Sequence, residues 1–175
     1  MRRALSFLVS SVLIAAGPAL ADPPATGLDR LALLLPGTWK ATGQTFATQF
    51  TKAGPVDYTT YRDCWRSGPE LKCVYVVNRK LQLLSIFDWD AADAIYHENQ
   101  ITVQGPSPVF NILVKGNVWT YDQDAQDKQG NVNHYRIVRT YTSPTSVQFT
   151  NSYSLDGKTW VTLEQGTETR VDGGG

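Results

Sequence analysis

From residue 38 to residue 170, short apolar and aromatic runs alternate with turn chemistry, and no stretch between them is long enough for a crossover helix. No other feature constrains the fold as strongly. Parallel neighbours need a connection of about a dozen residues or more. Consecutive runs must therefore pair antiparallel. Strands are expected at 38–42, 45–52, 56–65, 72–78, 81–88, 94–103, 109–115, 118–122, 132–142, 146–152 and 159–170. Their spacing of about eight to twelve residues suits a sandwich or a barrel. Ala53-Gly54-Pro55, Asn78-Arg79-Lys80, Gly105-Pro106, Lys115-Gly116-Asn117, Gly130-Asn131 and Asp156-Gly157 separate them. Asp-Gly between apolar arms is a strong hairpin cue.

A long meander leaves two bare edges unless it closes on itself. The expected fold is all-β, a single antiparallel up-and-down β-barrel of about 8–10 strands with a short N-terminal helix. The helix is placed at residues 28–35, a Leu-rich run stopped by Pro36-Gly37. The run from Leu81 to Phe87 is apolar on both faces. That fits a covered outer face or packing at a barrel seam.

The N-terminus carries an address. Arg2-Arg3 precedes an apolar run over 4–16, and Ala19-Leu20-Ala21 offers small residues for cleavage. This is the layout of a secretory signal peptide over 1–21. The apolar run is shorter than the roughly 20 residues that span a bilayer. Asp22 follows the cut where a lipoprotein would have Cys, and the Arg pair lacks the rest of a twin-arginine pattern. The chain is expected to be exported, to the periplasm or beyond, without a stable membrane anchor. Residues 22–27 form a flexible segment, 28–171 the barrel domain and 172–175 a flexible tail.

The whole chain has 16 basic and 16 acidic residues, so losing the two signal arginines leaves a net charge of −2. No Lys/Arg cluster accumulates, which argues against nucleic acid as a partner. Oligomeric state is left open. Cys64 and Cys73 flank a Ser67-Gly68-Pro69 turn, and export takes them to an oxidising compartment. A disulfide across one hairpin follows. Their spacing fits neither a redox pair nor a zinc site.

At Gly37-Thr38-Trp39 the chain resembles the opening of lipocalins, where Gly-x-Trp follows a short helix and the Trp plugs the closed end of the barrel. The resemblance implies that Arg170, near the last strand, packs on Trp39. Two lipocalin features are missing: Thr120-Tyr121-Asp122 stands in place of Thr-Asp-Tyr, and no C-terminal helix follows. From His134-Tyr135-Arg136 through Ser146-Val147-Gln148-Phe149 to Tyr153–Trp160 and Arg170, the second half is similar to a group of uncharacterised bacterial lipocalin-like barrel proteins. What this implies is a fold; the group brings no activity with it.

Chemistry-bearing residues are sparse. His97 and His134 lack further ligands in register for a metal or haem, and no Gly-x-Ser-x-Gly elbow exists. No cofactor, metal or catalytic set is assigned. Asp122, Asp124 and Asp127 read as a solvated hairpin loop, since the twelve-residue calcium loop is absent. Ser154–Trp160 resembles a sialidase Asp-box one residue short, and reads as a hairpin turn.

Pairing Cys64 with Cys73 puts Arg62 opposite Tyr75, on the sulfur face. Arg136 shares a face with His134 and Val138. Arginines pointing inward would fix the acidic head of an apolar ligand. Pointing outward, they would meet water, and alternation alone does not choose. The expected ligand-binding set is Arg62, Tyr75, Phe87, Trp119, His134, Arg136 and Phe149, with Gly37, Trp39 and Arg170 structural. The reading is a non-enzymatic exported barrel that binds a small apolar or amphipathic molecule. The alternatives are an envelope enzyme using Arg, His and Tyr in the cavity, and a structural or protein-interaction module.

Overall fold

The computed structural model describes residues 28–171. The expected signal peptide over 1–21, the segment 22–27 and the tail 172–175 lie outside the described residues. Helix α1 (Leu28–Leu34) is followed by β1 (Gly37–Thr45), β2 (Gly54–Ser67), β3 (Glu70–Val77), β4 (Lys80–Asp90), β5 (Ile95–Thr102), β6 (Gly105–Pro106), β7 (Phe110–Lys115), β8 (Val118–Gln126), β9 (Val132–Ser143), β10 (Ser146–Ser154) and β11 (Val161–Arg170). Every pairing is antiparallel. Ten strands close into a barrel, with β4 on β5, β5 on β7 and β11 back on β1; the two-residue β6 is an extra strand on β5.

The short connections work as read except at two places: Gly54-Pro55 already belongs to β2, and Gly105-Pro106 pairs with β5 as β6 after a turn at Val103-Gln104. Asn78 and Arg79 both take positive φ, 48° and 66°. Two central residues in that region make the primed turn that matches strand twist. Cys64 faces Cys73 in the β2–β3 register, and the two form a disulfide. Its nine-residue separation predicts a loss of about 2.6 kcal/mol on the loop-entropy estimate when both become Ser. Urea unfolding of the double variant checks this. A loss below about 0.5 kcal/mol would mean that the hairpin is already ordered in the unfolded chain.

Two expectations fail locally. Residues 45–52 are not a strand: β1 runs through Gly43 to Thr45, and 46–53 is a loop. Gly43 lies inside β1 and serves a close approach. It pairs with Gly166 of β11, and a Cβ added at Gly43 would lie 2.1 Å from the Gln165 carbonyl oxygen. Glycine is required where two backbones come this near. Likewise, Asp122 and Asp124 lie within β8, which continues to Gln126, so the loop shrinks to the turn that Asp127 organises. The Asp127 carboxylate accepts from Gln129 N, Asn131 N and Asn131 Nδ2.

One end of the barrel is sealed. Leu28, Leu31 and Leu35 come at helical spacing and are buried against Trp39, Leu71, Phe87, Tyr96 and Trp119. Trp39 is fully buried, and its Nε1 donates to the Leu35 carbonyl at 3.3 Å. Arg170 is Trp39's register partner; its guanidinium carbon stands 4.8 Å from the ring centroid, and Nη2 donates to the Leu33 and Leu34 carbonyls. One arginine thus stacks on the plug and caps the helix C-terminus. On the other side, Arg30 lies 5.2 Å over Trp119 and donates to the Gly116 carbonyl. The outer face of β4 is not covered by any described element: Leu81 is 59% exposed.

Candidate functional site

Alternation from the buried anchors fixes what points inward. On β2 the inward residues include Tyr58, Thr60, Arg62 and Cys64; on β9 they are Tyr135, Ile137, Arg139 and Tyr141. Beneath the sealed end lies a charged group rather than an apolar plug. Glu168 of β11, buried, accepts from Arg62 Nη2 at 2.7 Å and from both terminal nitrogens of Arg139 at 2.9 Å. Burial alone would raise the Glu168 carboxyl, but the two arginines outweigh it and hold it at about 2. For Arg139, burial works against the charge, and the Glu168 carboxylate overcomes it, raising its pKa further.

The arginines differ in access. Arg62 is buried, with its guanidinium carbon 5.5 Å from both the Trp39 and Tyr75 ring centroids. Its Nε and Nη1 have no hydrogen-bond partner among the described residues. The Arg139 side chain keeps 18% of its surface accessible. It is the most accessible member of the triad.

Across the interior stands Glu98. Its carboxylate accepts from Ser85 Oγ at 2.5 Å and Gln100 Nε2 at 3.0 Å. Burial pushes its pKa up, against those bonds. No ion pair joins it to either arginine among the described residues. Glu164, two residues before Gly166 on β11, is also pushed up by burial, and its Oε1 has no partner among the described residues. Burial raises Tyr58 to about 12, and raises Tyr75 and Tyr121 as well, so these hydroxyls stay protonated.

Two concavities lie toward the end opposite α1. Above Ile137, the next inward residue from Arg139, a cavity of about 200 Å³ is lined by Phe110, Gln123, Tyr135, Asn151 and Leu163 among others. A wider groove of about 550 Å³ at the rim includes Phe50, Asp127, Val132 and Leu155. Phe50, Val132 and Leu155 are exposed apolar side chains, and Phe50 packs edge-on against Tyr153 at 4.7 Å.

The expected ligand set is divided by this geometry. Arg62 and Tyr75 are register partners, as the cysteine pairing implied, and the structure turns their face inward. Phe87 and Trp119 belong to the packed sealed end, Trp119 lying parallel to Tyr96 at 5.8 Å. Phe149 packs in a smaller cluster with Ala41, Val56 and Tyr58. His134 and Arg136 lie on the other face of β9, although Arg136 is also among the residues that border the 200 Å³ cavity. Arg136 grips Asp122 through two nitrogens and stacks 4.2 Å over Trp160, while His134 Nδ1 bonds Asp124 at 2.7 Å. They lie on the face opposite Ile137 and Arg139 because side chains alternate along β9.

Arg139, Glu168, Glu98 and Glu164 were missed. A signal for Glu168 existed: if Arg170 stacks on the plug, the residue two back on the same strand must also point inward. Among the described residues, no group of three or more His, Cys, Asp or Glu is placed to hold a metal ion.

No protein-family model matches this chain, and no curated protein does so. Solved structures do. One is a protein of unknown function from the DUF3598 family of Nostoc punctiforme, with a TM-score of 0.51 and 15% identity over 78% of this chain. This chain spans 48% of that protein's length. Another is Rv2717c from M. tuberculosis, with a TM-score of 0.51 and 10% identity, covering 87% of this chain and 99% of that one. At such identities the likeness is one of fold alone: this chain is similar to barrel proteins.

Proposed function

We propose that the protein is an exported, lipocalin-like carrier that binds a small amphipathic molecule inside the barrel without converting it. The observation that supports this reading most is the partly accessible Arg139 side chain inside a barrel sealed at one end by Trp39 and α1. The tail would lie in the cavity lined by Phe110, Ile137 and Leu163 and leave past the apolar rim. An acidic head would reach Arg139. Two arginines share one carboxylate, and neither Glu98 nor Glu164 pairs with them among the described residues. An anionic head would give Arg139 a second charge-assisted hydrogen-bond partner. The interior disulfide and the absence, among the described residues, of a helix able to cross a membrane are compatible with export.

The test is a thermal-shift and tryptophan-quenching series with decanoate, decanol and decyltrimethylammonium. Decanoate is expected to raise the melting temperature by mass action. Arg139→Met should weaken decanoate by roughly tenfold or more, as loss of a charged hydrogen bond does, and leave decanol alone. If none of the three shifts the melting point, the carrier reading fails and an interaction module takes its place.

A further inference from the structure

The outer wall of the barrel carries an apolar sheet face that neither the carrier reading nor any described element uses. Register sets out its rows. Tyr61 stands beside Val76 and Val76 beside Leu81; Val74 stands beside Leu84 and Leu84 beside Ile101; Lys72 lies between Trp65 and Ile86. These residues face away from the interior, since their sequence neighbours Arg62, Cys73, Ser85 and Gln100 point into it. Tyr61, Trp65, Leu81 and Ile101 are each 44–59% exposed, and Val103, just past β5, is 66% exposed. A concavity of about 450 Å³ at one margin is floored by Thr59, Tyr61 and Val76.

We infer that this face, from β2 to β5, docks a second copy of the same chain. Area is the first argument. With the half-buried Val74, Val76, Leu84 and Ile86, the face exposes on the order of 600 Å² of mainly apolar surface, the upper end of what monomers leave bare. Two such faces together would bury roughly 1,200 Å², the lower limit for a specific stable interface. The dimer is thus expected to be reversible and concentration-dependent. Tyr61 and Trp65 are the residue types that dominate binding energy at such contacts. Charge is the second argument. Asp63 and Lys72 lie within the rows and Asp88 at their margin, so both signs are present, as a self-complementary two-fold contact needs. The same two aspartates oppose an anionic lipid surface.

Sedimentation velocity of the exported chain across a wide concentration range tests the inference, with Tyr61→Lys and Ile101→Lys as variants. Both side chains are exposed, so the folded barrel should keep its melting temperature. The wild type should move from monomer to dimer as concentration rises, and each variant should raise the dissociation constant tenfold or more. A wild type that stays monomeric overturns the inference, whether the face proves open, covered by the chain's own N-terminal segment in hydrogen exchange, or bound to phosphatidylglycerol vesicles. A dimer unchanged in both variants overturns it too, since association would then use another surface.

Discussion

Trp39→Ala is expected to cost about 3–5 kcal/mol, the usual range when a buried Trp is truncated. Trp39 is fully buried and meets four separate things: the Leu35 carbonyl, the α1 leucines, Arg62 from within the barrel and Arg170 from the last strand. Truncation opens a cavity and removes the aromatic face from two cations. Arg170 then caps a helix that has lost its seat. Urea unfolding with an unchanged slope measures the loss. A cost below about 1 kcal/mol would show that the sealed end does not depend on this plug. Trp39→Phe should recover part of the loss, because it restores ring area without the indole N–H.

Glu168→Gln is expected to cost a similar amount, about 3–5 kcal/mol, for a different reason. Breaking a buried ion pair leaves uncompensated charge in the interior. Here two guanidinium groups lose their one shared carboxylate. The wild type should also show the linkage. The folded carboxyl, near 2, is below its ordinary value of 4.5. Its contribution is therefore full above the ordinary value and is lost as pH falls toward about 2. Glu98 works the other way: its raised carboxyl favours the folded state at lower pH, so stability falls as pH rises through its titration. In Glu168→Gln the acid loss belonging to Glu168 should vanish. An unchanged acid limb in that variant would mean that other carboxylates control acid unfolding.

The frame of this molecule was legible because strands announce themselves locally. Turn pairs such as Asn78-Arg79 and Asp156-Gly157 mark ends, and absence of a crossover forces antiparallel order. The cysteine pair supplied one true register, and through it Arg62 and Tyr75 came out as partners on the sulfur face, while the sequence left open whether that face points inward. Strand β9 offered no such anchor. Both of its faces carry an arginine, Arg136 on one and Arg139 on the other, and both mix aromatic or apolar residues with polar ones. Period-two alternation defines two faces but does not label them. Gly43 shows a related ambiguity: a chain break and a close backbone approach select the same residue. The charged interior was hidden because buried carboxylates are rare, and Glu168 finds its partners 29 and 106 residues away.

The β1–β11 seam has a kinetic meaning. Trp39 pairs with Arg170 and Gly43 with Gly166, so the ring closes through residues more than a hundred positions apart. Loop-closure entropy must be met before that contact returns anything, and topologies of this kind fold slowly for their stability. A nascent chain can assemble the hairpins from β2 to β10 as they appear, yet it cannot complete the Trp39 plug or the Glu168 triad until β11 arrives. A ribosome-bound intermediate would present two unpaired edges and two unneutralised interior arginines. The adjacency of β1 and β11 also makes the domain suited to circular permutation. Joining the ends near Leu28 and Val171 and reopening the chain at the Asn78-Arg79 turn would turn the slowest contact into a local hairpin.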